Sequence, residues 1–387
     1  MNASPFLALQ GAVAAADDAA DPGVAAHYGN PLTEQRALEA GAVVDLSTRG
    51  VISITGPDRL SWLDSMTSQS LRTLQPGESA EALLLDPAGH IEHALHVVDD
   101  GESAWLLVER SDTDAVLDFL QKMRFILRVE PVDRTGEYAT VGTIGETDAV
   151  SSAAASAGGI RLVWHDPWPA VVAGGHQYAR AGIDAAAHEH PGAGFHWVET
   201  LVPREQLPAL AAKAASGDLS VAGTLAAEAL RVAAWRPRLG AEVDERTIPH
   251  ELDWLRTAVH LNKGCYRGQE TVAKVHNLGH PPRRLVFLHL DGSEGIQVLA
   301  GSEVRAGDSV VGRVTSSAVH HELGPIALAV VKRSTDASID LVVATAYGDV
   351  AAAQETIVPT DAGAEAHVPR IPRLGAVTRA PRDSTED

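Results

Sequence analysis

Residues 263–270, Lys-Gly-Cys-Tyr-Arg-Gly-Gln-Glu, concentrate reactive groups in one short stretch. Cys265 is the only cysteine among 387 residues. A lone cysteine is most often a small buried hydrophobe. Here Lys263 and Arg267 flank it, and neighbouring cations lower a thiol pKa and raise the thiolate fraction. Gly264 and Gly268 leave room for the backbone to approach a ligand. The pattern favours a working thiol, and the roles of nucleophile, redox thiol and metal ligand all stay open. Gln269 and Glu270 follow; an adjacent amide and carboxylate match the donor–acceptor edge of a heterocycle, and they are also common on any surface. Between 263 and 284 five cations (Lys263, Arg267, Lys274, Arg283, Arg284) stand against Glu270 alone, a local +4 in a chain of formal net charge −20. That contrast points to a small anion or an anionic partner. Arg231, Arg236 and Arg238 form a second basic group, either a clamp for a carboxylate tail or cations at a helix C-terminus.

Other constellations carry less. His276 and His280 have the spacing of helical metal ligands, but Gly279 and Pro281 break any helix there. His90, His93 and His96 fall in one predicted strand, where 90 and 96 share a face and 93 does not; solvated strand positions are the simpler reading, and no metal site is expected. One cysteine excludes an internal disulfide and an all-cysteine metal site within one chain, and it fits a reducing compartment, the cytoplasm. The net charge disfavours direct binding to nucleic acid or an anionic membrane. No apolar run approaches the ~18 residues of a membrane span. The first twenty residues lack a basic leader, which argues against a secretory or transit signal.

The elements that must position these groups are short. Residues 1–35, rich in Ala, Asp, Gly and Pro, read as a poorly ordered leader, and 365–387 as a flexible Pro/Arg tail. Two strands are expected over 42–56, then a helix opened by Pro57 with Leu60, Leu63 and Met66 at helical spacing. Residues 81–109 read as a three-stranded meander with turns at Asp86–Gly89 and Asp99–Gly101, and 112–123 as an amphipathic helix. Strands follow near 124–133, 139–144, 160–165, 169–173 and 196–201, with helices at 204–215 and 224–235. Beyond the Pro281–Pro282 hinge, short strands between Gly/Asp turns suggest a small β-barrel over 283–352. The body, 36–280, divides into two α+β subdomains near 135–150.

The octapeptide resembles the signature of the YgfZ family, folate-binding relatives of the glycine cleavage T-protein. The segments 54–79, 82–91, 229–252 and 311–331 are similar to family segments too, so the resemblance spans roughly residues 36–350. It implies an α+β, T-protein-like folate-binding body around a central hole, plus a small C-terminal β-barrel. It implies tetrahydrofolate or a derivative as cofactor. Cys265 would be an activated, catalytic thiol facing the hole. Lys263, Arg267, Arg231, Gln269, Glu270 and Tyr266 would bind the folate or an anion, and Gly264 and Gly268 would shape the loop. The implied role is support of iron–sulfur cluster assembly or repair in client enzymes, linked to tRNA modification. The alternative is a folate-dependent aminomethyl or methyl transferase, or a demethylase. A plain binding module and a cluster carrier that borrows a second thiol are the other readings. Catalytic T-proteins carry an aspartate where this chain has His93 or Ala94, and a glutamate where it has Ala233. Both departures put glycine cleavage in doubt.

Overall fold

The computed structural model describes residues 3–17, 19–179 and 190–366. Two five-stranded sheets and a closed six-stranded barrel carry the architecture. The first sheet is antiparallel, in the order Ser79–Leu85, Ile91–Asp99, Ser103–Val108, Gly50–Thr55, Glu130–Asp133. Its inner strands Ser103–Val108 and Gly50–Thr55 are buried on both faces, which accounts for their largely apolar runs. Ile52, Ile54 and Leu106 pack under Trp62 and Leu63 of the Arg59–Met66 helix and Val116 and Leu120 of the Thr113–Lys122 helix. Val51, Trp105 and Leu107 face Leu162 and Leu201 on the other side. The second sheet runs Val163–His165, Trp197–Pro203, Tyr138–Ile144, Val43–Asp45, Val221–Ala222, with only the last pair parallel.

The chain crosses between these sheets rather than dividing at 135–150, because Val43–Asp45 joins the second sheet before the first is built. The leader is a clearer correction. Residues 5–8 form a 3-10 helix, and Phe6 is fully buried among Val43, Val141, Val202 and Leu207. Asn30 caps the Pro31–Glu39 helix, accepting from Leu32 N at 3.0 Å. One aromatic anchor and a few polar ties order a segment whose average composition suggested none. The expected strand at 169–173 is a turn pinned by Val172 N to Arg256 O at 3.0 Å. Residues 125–127 are exposed rather than paired, and the strand begins at Glu130. Most of the 365–387 tail lies outside the described residues, yet Glu365 is tied to His276, its N–H donating to the His276 carbonyl at 2.9 Å.

The barrel comprises Arg283–Leu290, Gly324–Lys332, Ser309–His320, Glu303–Ala306, Leu341–Thr345 and Gly348–Thr356, ending four residues past the expected 352. Alternation along its first strand decides what it touches. Val286 and Leu288 fill the barrel, while Leu285 and Phe287 join Trp235 and Trp254 in the core of the body. The diproline junction is not a free hinge: Arg283, directly after it, bonds Asp244 at 2.6 Å and Glu251 at 2.8 Å.

Candidate functional site

Where the two sheets and the Thr224–Ala233 helix meet, a narrow cavity opens to solvent. Its apolar wall includes Leu46, Ala94, Phe195, Trp197 and Trp254, and its polar wall consists of carboxylates interleaved with arginines. Glu81 is fully buried and accepts from Arg236 Nη2 (2.6 Å), Trp254 Nε1 (2.9 Å) and Thr257 Oγ1 (2.5 Å). Asp166 takes Arg236 Nε at 2.9 Å. Burial opposes ionisation of both; Arg236 and His96 overcome it at Glu81, whose pKa is lowered, whereas Asp166 stays raised. Arg236 lies within 5.1 Å of the Trp168 ring centroid, and its Nη1 is a buried donor with no partner among the described residues. Glu199 binds Arg49 Nη1 at 2.5 Å and His96 Nδ1 at 2.9 Å. Burial alone would raise its pKa, but His96 and Arg49 bring it down to about 2. The His96 ring stacks on Trp164 with centroids 3.7 Å apart and planes 1° from parallel.

Of the expected folate- or anion-binding residues only Arg231 lines this cavity, beside Arg236 and Arg238 of the same basic group and His96, and Arg231 is engaged within the wall. It donates to Glu228 (2.8 Å), Glu242 (3.0 Å), the Arg236 carbonyl (2.6 Å) and Ser316 of the barrel (2.7 Å). It is a strut between body and barrel, with no arm left over as an anion clamp. Arg238 is likewise held by Asp21 at 2.8 Å and Glu109 at 2.9 Å.

The octapeptide loop stands apart. Cys265 is exposed and is not among the residues lining the cavity. Lys263 does not reach toward a ligand: its Nζ donates to the carbonyls of Asp64 (2.5 Å), Thr67 (2.9 Å) and Gln69 (2.6 Å). Burial lowers its pKa against the opposing pull of Asp64. Arg267 pairs with Glu92 at 2.7 Å, and Gln269 Nε2 returns to the Lys263 and Gly264 carbonyls at 3.2 and 3.3 Å. Tyr266 is buried, with Lys263 Nζ 5.4 Å from its ring centroid, while Glu270 is exposed. Three of the five cations behind the sequence +4, Lys263, Arg267 and Arg283, thus meet carboxylates distant in the chain, and Arg284 is buried against the Thr335 carbonyl and Gln354. Gly268 is needed where it stands: at φ +83 a Cβ would meet Asp86 O at 2.7 Å. Gly264 meets no such constraint. The loop borders an open groove lined by His90, Glu92, His93, Phe119, Met123 and Arg267, among others.

Each of the three strand histidines has a carboxylate partner: His90 with Asp86 (2.8 Å), His93 with Asp112 (2.7 Å) and His96 with Glu199. Among the described residues no group of histidine, cysteine and carboxylates is arranged to hold a metal. Strand alternation separates the two positions: Ala94 and His96 line the cavity, and His93 lines the outer groove. Glu81, Glu199, His96 and Arg236 were missed as a set. Only the period-2 placement of His96 two positions after Ala94 hinted at them.

Residues 32–148 match the GCVT N-terminal domain family, and residues 283–360 match the Glycine cleavage T-protein C-terminal barrel domain. Both domains of the T-protein architecture are therefore present. The chain is 24% identical over 310 residues to the Arabidopsis thaliana protein named "Putative transferase At1g60990, chloroplastic"; the match covers 76% of this chain and 66%, just under two thirds, of that relative. It is 27% identical over 314 residues to an aminomethyltransferase of Streptomyces coelicolor, covering 79% of this chain and 82% of the relative. The glycine cleavage system aminomethyltransferase T of Bartonella henselae shares the fold, with TM-score 0.68 at 20% identity over 90% of this chain and 94% of that one. No helix among the described residues is long and apolar enough to cross a membrane.

Proposed function

We propose that this chain binds a reduced folate in the cavity between its sheets and does not cleave glycine. The observation that carries the reading is the cavity wall. It lies within a T-protein architecture, yet Ala94 holds a position on its lining face where the resemblance leads to a carboxylate. The donor set fits the ligand. Glu81, Asp166 and Glu199 give the wall negative charge suited to the amino and ring N–H groups of a pterin, Arg236 Nη1 has no partner among the described residues, and Phe195, Trp197 and Trp254 supply apolar walls. A bound folate would contribute a carrier nitrogen for a one-carbon unit; the residues of this chain would bind and orient it. Calorimetric titration with tetrahydrofolate tests the first half, with binding expected. A reconstituted glycine-cleavage assay tests the second, with no replacement of a T-protein expected; robust turnover would overturn it.

The biological role that best accommodates an exposed thiol outside the cavity is support of iron–sulfur enzymes, with a link to tRNA modification, in a reducing compartment such as the cytoplasm. Cys265 on its anchored loop would meet a client or assembly protein there. Cells lacking the protein should regain iron–sulfur enzyme activity with the wild type and not with Cys265→Ser; equal rescue would reduce the octapeptide to a structural loop. The aminomethyltransferases among the relatives favour a second reading, a one-carbon transferase or demethylase acting on another amine. One-carbon transfer from a test amine to tetrahydrofolate would distinguish it.

A further inference from the structure

We infer that His96, presented by Glu199, is the group through which the cavity exchanges a proton with its ligand, a heterocycle carrying a basic ring nitrogen. This inference rests on the folate reading above. The geometry has the three parts that such a role requires: an imidazole at a cavity wall, a carboxylate that orients it, and groups that hold the carboxylate. His96 lines the cavity, and its Nδ1 lies 2.9 Å from Glu199 Oε2. Glu199 is itself fixed by Arg49 Nη1 at 2.5 Å and Trp197 Nε1 at 3.1 Å, and its side chain is 1% exposed. An ionised Glu199 accepts only, so Nδ1 carries the proton of that bond and Nε2 is left for the ligand. No described residue takes Nε2, and the side chain is 21% exposed, so that edge is reachable. Trp164 stacks flat against the ring at 3.7 Å and removes its rotational freedom.

The groups facing His96 come from several elements. Glu199 lies on Trp197–Pro203, Glu81 on Ser79–Leu85, and Asp166 just beyond Val163–His165; Arg49 and Arg236 neutralise these carboxylates. Three carboxylates thus stand against two guanidiniums around the imidazole. The step is a simple transfer. A proton from bulk solvent and its buffer first joins Nε2, giving the imidazolium; the Nε2–H bond then breaks, the proton joins the ligand nitrogen, and the neutral imidazole keeps its Nδ1–H bond to Glu199. No electron changes hands. The same face carries Ala94 two residues earlier, so His96 offers titratable chemistry on a wall from which the expected carboxylate is missing.

Two measurements on the full chain test this. Histidine-selective ¹⁵N correlation spectra, with His96 assigned by its disappearance in His96→Gln, should show a protonated Nδ1 without any ligand. An unprotonated Nδ1 would overturn the inference at once. Calorimetric titration with tetrahydrofolate in phosphate and in Tris should show heats that differ, reporting proton exchange on binding. In His96→Gln the difference should vanish, and affinity should fall about tenfold, the scale of one charge-assisted hydrogen bond. Binding by the wild type without proton exchange, or proton exchange surviving in His96→Gln, sinks the inference and leaves the folate reading standing. No binding by the wild type removes the folate reading, and the inference goes with it.

Discussion

Arg231→Met separates a ligand-binding arginine from a structural one. Arg231 contacts two carboxylates, one carbonyl and one barrel hydroxyl, and its side chain is 8% exposed. Its loss strands Glu242, whose side chain is 0% exposed. Glu242 would keep its bonds from Thr315 Oγ1 (3.0 Å), Ser316 Oγ (2.6 Å) and Arg238 N (2.8 Å), but not its countercharge. Removing one partner of a buried pair costs about 3–5 kcal/mol. Glu228, 29% exposed, keeps Arg238 Nη1 at 3.0 Å and adds little. Thermal and urea unfolding should therefore show a marked loss of stability. Hydrogen exchange should rise in Ser309–His320, the barrel strand that holds Ser316. Adding Glu242→Gln should return part of the loss, a coupling of about 0.5–3 kcal/mol. An unchanged unfolding midpoint together with weaker tetrahydrofolate binding would refute the reasoning and restore Arg231 as a ligand clamp.

The octapeptide cations should behave oppositely to each other. Lys263→Met removes three carbonyl bonds from a buried ammonium and should destabilise the chain by about 2–4 kcal/mol in urea unfolding, freeing the loop to exchange. Arg267→Ala removes one half-exposed pair and should change stability by less than about 1 kcal/mol. Glu199 has its pKa depressed to about 2 from an ordinary value of 4.5. It therefore stabilises the fold fully above pH 4.5, and loses about 3 kcal/mol as pH falls toward 2; the unfolding midpoint should drop over that window, less steeply in Glu199→Gln. Gly89→Ala, at φ +87 with a Cβ 2.8 Å from Thr271 Cβ, should cost about 1–2 kcal/mol from the left-handed backbone alone. Hydrogen exchange should also quicken in the Gln269–Leu278 helix that this turn abuts.

Regular elements were legible because their signals are local. The meander, the Thr113–Lys122 and Thr224–Ala233 helices and the barrel follow from alternation, helical spacing and Gly/Asp turns. The α+β body with a barrel appended was legible too. The partners of charged groups were not. Nothing near Lys263 in sequence announces the Asp64, Thr67 and Gln69 carbonyls about two hundred positions earlier. Summing charges over a window assigned a free cationic patch where the fold supplies Glu92, Asp244 and Glu251. Phe6 and Asp21 failed for the same reason: one anchor per element leaves no periodic trace. The cavity set escaped because its members lie on separate strands and converge only through sheet order.

Asp21 lies in the cavity wall between Arg49 and Arg238, and the Ala20 carbonyl receives Arg238 from 218 positions downstream. That spacing puts a clock on biosynthesis. Ribosomes add roughly 5–20 residues per second, so about 10–40 seconds separate the emergence of Asp21 from that of its second arginine. Throughout that interval the early segment has no complete docking site. A nascent-chain protease pulse should cut near residue 21 until the arginine at 238 has cleared the tunnel, and then stop. Shortened proteins that begin after residue 35 would lose Asp21 from the pocket wall and leave Arg49 and Arg238 each short of a counterion.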